Sequence, residues 1–168
     1  MSDLTVISRD ALTFEGATYR CAVGANGFSA NRREGSKTTP IGRFALRECW
    51  YRPDRFPAPS TSLPARAIRP EDGWCDDPTH ADYNRRVTLP FTASHEKLWR
   101  DDHVYDIVIP LGFNDNPPIP GKGSAIFLHL ARPDYAPTEG CVALSLEDMK
   151  KILPHLGKET FIGVAPKV

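Results

Sequence analysis

Apolar and polar positions alternate with a period of two at the start of the chain, in Leu4 and Val6 and again in Tyr19, Cys21 and Val23. That is the period of a strand with one buried face. Short strands are therefore expected over residues 4–7, 11–14 and 18–23, with turns at Asp10 and at Glu15 and Gly16. Residues 24–35, rich in Gly, Asn and Arg, read as a loop. Pro40 holds Thr39 out of helical geometry and leads into a strand over 43–50. Residues 51–90 carry prolines throughout and little periodicity. A structureless loop of that length is unusual in a compact domain, so short strands and turns, or a lid over a cleft, are expected there.

Further on, Ser94 suggests the cap of a short helix over 94–100. Residues 105–111 read as a strong strand, with Pro110 marking a bulge or an edge. A loop over 112–123 leads to a nearly continuous apolar run over 125–130, expected to be central. Residues 142–144 form a strand stub. Ser145 then stands as an N-cap with Asp148 three residues on, and Leu146, Met149, Ile152 and Leu153 share one helical face. A closing strand is expected over 160–164. Many short strands and one convincing helix predict a mainly β fold, a sandwich or open barrel with the helix packed against it. With 168 residues, a single domain spanning 1–168 is expected.

Composition narrows the function. Lys plus Arg and Asp plus Glu are both 21, and no basic stripe or polybasic cluster points to nucleic acid or to a membrane surface. No apolar run approaches the ~20 residues of a membrane span. The opening residues lack a basic region followed by an apolar run, so the expectation is a cytoplasmic protein, with a periplasmic location as the alternative. Cys21, Cys49, Cys75 and Cys141 form no CxxC pair, and scattered thiols suit a reducing compartment. A metal site from Cys75, Asp77 and His80 fits no standard zinc spacing. A turn-rich loop anchored by a buried Trp74 is the preferred reading, with Trp50 and Trp99 also in the core or lid. No cofactor is indicated, and nothing fixes the oligomeric state.

The chemistry concentrates at His129 and Cys141. Each alone reads most simply as structural, since Cys is often buried and a histidine at a strand end is usually satisfied there. Together, on the two sides of one proline-studded loop, they offer a thiol and its base. Gly140 permits a tight turn, and its N–H with that of Cys141 is a candidate oxyanion hole. The helix that follows would add a favourable field for a thiolate. Cys141 would attack a carbonyl carbon and His129 would carry the proton. A backbone carbonyl, Asp134 or Asp115 could orient the imidazole.

With Lys37-Thr38-Thr39-Pro40-Ile41-Gly42 upstream, then His129 and Thr138-Glu139-Gly140-Cys141-Val142, the chain resembles the L,D-transpeptidase (YkuD) catalytic domain over residues 5–165. The resemblance implies a mainly β, YkuD-like domain whose cysteine nucleophile acts on peptidoglycan stem peptides or muropeptides. Cys141 would form a thioester with the third residue of the stem, His129 would be its base, and Gly140 part of the oxyanion turn. Carbapenem-type inhibitors become candidate covalent ligands. The family often has Ser-His-Gly-Cys where Thr138 and Glu139 stand here, a Gly or Ser where Leu130 follows the histidine, and an arginine where Ala143 lies two after the cysteine. Arg132 is the candidate for the missing cation. Thr138, Glu139, Arg132, Tyr105 and Asn114 are the expected substrate-binding residues, with Lys37 and Thr39 also near the cleft.

The leading expectation is an L,D-carboxypeptidase removing terminal D-Ala from murein tetrapeptides during recycling. The alternatives are a periplasmic L,D-transpeptidase, a non-catalytic module that holds wall peptides, and a zinc hydrolase using His129, Cys141 and His155.

Overall fold

The computed structural model describes residues 2–166. A ten-stranded sheet dominates it. In spatial order its strands are Gly42–Ala45, Phe161–Val164, Leu4–Ser8, Ala11–Phe14, Ala17–Ala22, Val142–Leu144, Phe127–Leu130, Ile107–Pro110, Cys49–Tyr51 and Ala65–Ala67. The opening meander is present as its alternation demands, with Leu12 opposite Tyr19 and Val6 opposite Leu12. The apolar run before His129 is central: Phe127–Leu130 lies between Ile107–Pro110, antiparallel, and Val142–Leu144, parallel. Strands buried on both faces read as continuous apolar runs, and all four residues of Phe127–Leu130 are buried.

The two faces of that strand serve two cores. Leu128 and Leu130 join Leu4, Leu12, Ile109, Leu144, Met149 and Ile152 in the larger one. Phe127 points the other way, into a smaller cluster with Trp50, Leu98, Tyr105, Val108 and Cys141, against which Trp74 and Trp99 pack. Period two thus sends Phe127 and His129 to the site side and their neighbours to the main core.

The helix Leu146–Ile152 forms where its cap predicts: Ser145 Oγ accepts from the Asp148 N–H at 3.1 Å. Glu147 and Asp148 open it and Lys150 and Lys151 close it, in the sense the helix dipole favours. Pro154 turns the end into the tighter helical turn Leu153–His155. No helix of the described residues is long and apolar enough to cross a membrane.

The proline-rich region resolves into short strands and turns. Asp72–Cys75 is the middle strand of a three-stranded sheet, flanked by Arg86–Thr88 and His95–Lys97. The helix expected over 94–100 is therefore a strand instead. Seven residues make a marginal helix, whereas pairing with Asp72–Cys75 satisfies the backbone and buries Leu98. The Ser94 carbonyl accepts from the Asp76 N–H rather than the residue capping a helix. Cys75, Asp77 and His80 do not form a metal site: among the described residues, no cluster of His, Cys, Asp or Glu is arranged to hold an ion. Asp77 instead accepts from the Thr79 N–H and hydroxyl, and His80 from the Asp82 N–H. The four cysteines are buried and free.

Candidate active site

Cys141 stands at the mouth of the strand Val142–Leu144, and His129 pairs with Ala143 on the adjacent parallel strand. Positions 141 and 143 share a face because side chains alternate along a strand. Cys141, Ala143 and His129 accordingly line one cavity of about 410 Å³. The turn that delivers the thiol is closed by Thr138. Its hydroxyl donates to the Cys141 carbonyl at 2.7 Å and accepts from the Gly140 N–H at 3.0 Å. Gly140 has φ +140°, a conformation that favours glycine.

That geometry corrects the expected oxyanion hole. The Gly140 N–H is committed to Thr138, so it is not available to an incoming oxygen. The Cys141 N–H remains, and no acceptor for it is found among the described residues. The expected help from the helix is also absent. The helix begins at Leu146, beyond the strand that follows Cys141, and its cap is filled by Ser145.

The sulfur has two backbone partners. It donates to the Ala125 carbonyl at 3.1 Å and accepts from the Phe127 N–H at 3.3 Å. Burial pushes the thiol pKa up to about 12, and the nearby Glu96 adds to it; the Phe127 N–H and the Arg32 charge oppose this, and Glu139 again raises it. At neutral pH the resting sulfur is therefore a thiol.

His129 is also uncharged at rest. Burial lowers its pKa to about 4, against the Leu130 carbonyl, which favours the charged form; Arg100 and Arg132 lower it further. Its Nδ1 lies 2.9 Å from the Leu130 carbonyl, which can only accept. The proton therefore sits on Nδ1, and Nε2 keeps the basic lone pair. The orienting group is a backbone carbonyl. Asp134 accepts from the Ala136 N–H, and Asp115 pairs with Arg47. Tyr105 stacks edge-on against the imidazole, ring centroids 5.4 Å apart, which fixes the ring plane.

Sequence reasoning missed three side chains of this cavity. Glu96 accepts from the Tyr105 hydroxyl at 3.1 Å, and burial raises its pKa to about 7 in spite of that bond, with Asp76 and Glu139 adding to the rise. Asp76 also lines the cavity, and its Oδ1 is buried with no hydrogen-bond partner among the described residues. Arg32, 5% exposed, donates from Nε to the Thr38 carbonyl at 2.7 Å and from Nη2 to the Glu139 carbonyl at 3.1 Å.

Of the expected binding residues, Thr138, Glu139, Arg132 and Tyr105 line the cavity, as does Lys37. The Thr138 hydroxyl is spent on the turn. Arg132 lies at the rim, half exposed, 3.4 Å from Asp102. Asn114 is not in the cavity. Its amide donates to the Ile119 and Gly123 carbonyls and accepts from the Ile119 N–H, which ties the loop between Leu111 and Ser124. Thr39 is buried and accepts from the Gly24 N–H, so it too is structural. His155 packs beside Phe14 and Glu15, outside the cavity, so it does not join His129 and Cys141 in a zinc site.

One more unforeseen residue supports the sulfur from behind. Ala125, whose carbonyl accepts the hydrogen bond from the thiol, has φ +52°, uncommon for a residue with a Cβ. Its N–H donates to Asn84 Oδ1 at 3.0 Å. The same oxygen accepts from Trp74 Nε1 at 3.0 Å, while Nδ2 donates to the Phe113 and Asn114 carbonyls at 3.0 and 2.8 Å. Truncation would leave buried donors and acceptors unpaired. Asn84→Ala is expected to cost about 3 kcal/mol or more. A loss of unfolding free energy in urea of less than about 1 kcal/mol would show the network to be dispensable.

The family model of the L,D-transpeptidase catalytic domain (YkuD) matches residues 4–164. No curated protein matches the chain.

Proposed function

The chain belongs to the L,D-transpeptidase catalytic domain (YkuD) family, and from that premise we propose that it works as an L,D-carboxypeptidase on murein tetrapeptides. As a member of the family it is a cysteine enzyme acting on peptidoglycan peptides. What the reading adds is the residues and the acceptor. Cys141 is the nucleophile, His129 the base, and water the group that takes the acyl chain.

The chemistry balances on these two side chains. His129 Nε2 takes the thiol proton as Sγ attacks the carbonyl carbon of the third stem residue. The developing oxyanion faces the Cys141 N–H. The C–N bond breaks, His129 gives its proton to the leaving amine, and D-Ala departs. Water then attacks the thioester while His129 takes its proton, and the thiol is restored as the tripeptide acid leaves. Because both groups are neutral at rest, proton transfer accompanies attack, rather than a standing thiolate–imidazolium pair doing the work.

The observation that supports hydrolysis is the cavity itself. About 410 Å³ suits the end of one peptide with water beside it. The test offers a tetrapeptide stem alone and then with a second stem as amine acceptor, and follows products by mass spectrometry. D-Ala and tripeptide are expected in both cases. A cross-linked dimer as the main product would favour the transpeptidase instead. The reading places the activity on soluble fragments in the cytoplasm, which fractionation of cells checks.

A further inference from the structure

Where the family commonly has an arginine two residues after its cysteine, Ala143 stands here, and Arg132 at the rim is already engaged by Asp102. The other cations of the cavity differ in how far they are spent. Arg100 makes two hydrogen bonds to Asp102, at 2.9 and 2.7 Å, and lies over the Tyr105 ring. Lys37 is exposed. Arg32 is buried, has two of its nitrogens on backbone carbonyls, and keeps Nη1 with no hydrogen-bond partner among the described residues. An unpaired buried donor on a charged group is costly, and a native fold rarely keeps one without reason.

The fold makes deliberate room for this guanidinium. A Cβ at Gly123 would lie 2.0 Å from Nη1, and one at Gly140 would lie 2.9 Å from Nη2. Both glycines have positive φ, +131° and +140°. The guanidinium thus sits in a slot between two Cβ-less residues, one of them next to the nucleophile. Glu34, the nearest acid, is held by the Tyr83 hydroxyl at 2.8 Å and the Ser124 hydroxyl at 2.6 Å rather than by Arg32. Across the cavity the lining is acidic: Asp76, with its unpartnered Oδ1, and Glu96.

We propose that Arg32 is the carboxylate anchor of this site: its guanidinium, which lines the cavity and has hydrogen-bonding capacity left, binds the free C-terminal carboxylate of the residue that leaves. This rests on the carboxypeptidase reading and sharpens it. An enzyme that reads a terminal carboxylate beside the scissile bond removes a last residue and does not cut within a longer chain. The same arginine holds the Glu139 carbonyl, so it also steadies the turn before Cys141. A test must therefore separate binding from positioning.

The experiment compares a stem tetrapeptide ending in D-Ala with the same peptide ending in D-Ala amide. For the wild type, kcat/KM for the acid is expected to exceed that for the amide by about 10- to 100-fold, the range for a hydrogen bond to a charged group. In Arg32→Met that ratio should fall close to one, whatever loss both peptides share from a loosened turn. Arg32→Lys should restore part of it. A wild type that does not distinguish acid from amide would overturn the inference without needing any variant. So would an Arg32→Met enzyme that keeps the full ratio. If the wild type turns over neither peptide, the carboxypeptidase reading falls and this inference falls with it. Turnover without discrimination removes the inference alone.

Discussion

Cys141→Ala is expected to release no D-Ala above background, a loss of about 10,000-fold or more in kcat, because the variant lacks the sulfur that forms the acyl-enzyme. Intact-protein mass spectrometry should show the companion result. Wild type mixed with a tetrapeptide stem or a carbapenem gains an acyl adduct that maps to Cys141, and the variant gains none. The substitution leaves the Ala125 carbonyl and the Phe127 N–H without the sulfur, at a cost of about 1–3 kcal/mol, within the roughly 5–15 kcal/mol typical of a folded domain. The variant should therefore remain folded, so that lost activity reports chemistry. D-Ala release that survives in Cys141→Ala would remove the sulfur from the mechanism. Simple alkylation is a poorer probe. With the thiol pushed up to about 12, iodoacetamide should label the resting enzyme slowly at pH 7 and faster as pH rises. Slow labelling is thus compatible with catalysis and does not favour a non-catalytic peptide-binding module.

How much of this was legible in the chain depends on range. The meander, the central apolar strand ending in His129 and the capped helix after Cys141 are written in local period and capping residues, and the structure has them where those signals fall. His129 and Cys141 lie close in sequence, at the ends of one loop, so their lining of one cavity could be foreseen. The rest of the site is long-range. Arg32 reaches the Glu139 carbonyl across 107 residues, and Asn84 reaches Ala125 across 41. Nothing in the local pattern around either announces a partner. Their only trace is Gly123 and Gly140, whose need for space shows once the guanidinium is seen between them. Residues 94–100 misled for the opposite reason: a real local cap signal at Ser94 was overridden by pairing with Asp72–Cys75. The orienting group of His129 was legible only as one of several options, because a backbone carbonyl leaves no mark in sequence.

His129→Gln should lower kcat/KM by about 1,000-fold, and the pH dependence of the wild type should show why. Only the neutral imidazole can accept the thiol proton. With the His129 pKa lowered to about 4 by burial, the rate should rise with pH through about 4 and be level by pH 6, instead of rising through 6.5. The same shift acts on stability. The folded state holds the imidazole neutral, and its pKa lies below the unfolded value of about 6.5. That contribution is fully present above pH 6.5 and is lost as pH falls through 4, to a total of about 3 kcal/mol. His129→Gln, with nothing to protonate there, should lose less stability between pH 6.5 and 4 than the wild type. The two measurements check each other because one group governs both. An acid limb of activity near 7 that His129→Gln leaves in place, or an acid destabilisation that His129→Gln leaves unchanged, would mean that His129 is not the group that titrates. The base would then have to be sought elsewhere, and Glu96, poised at about 7 in the same cavity, is the group that would answer.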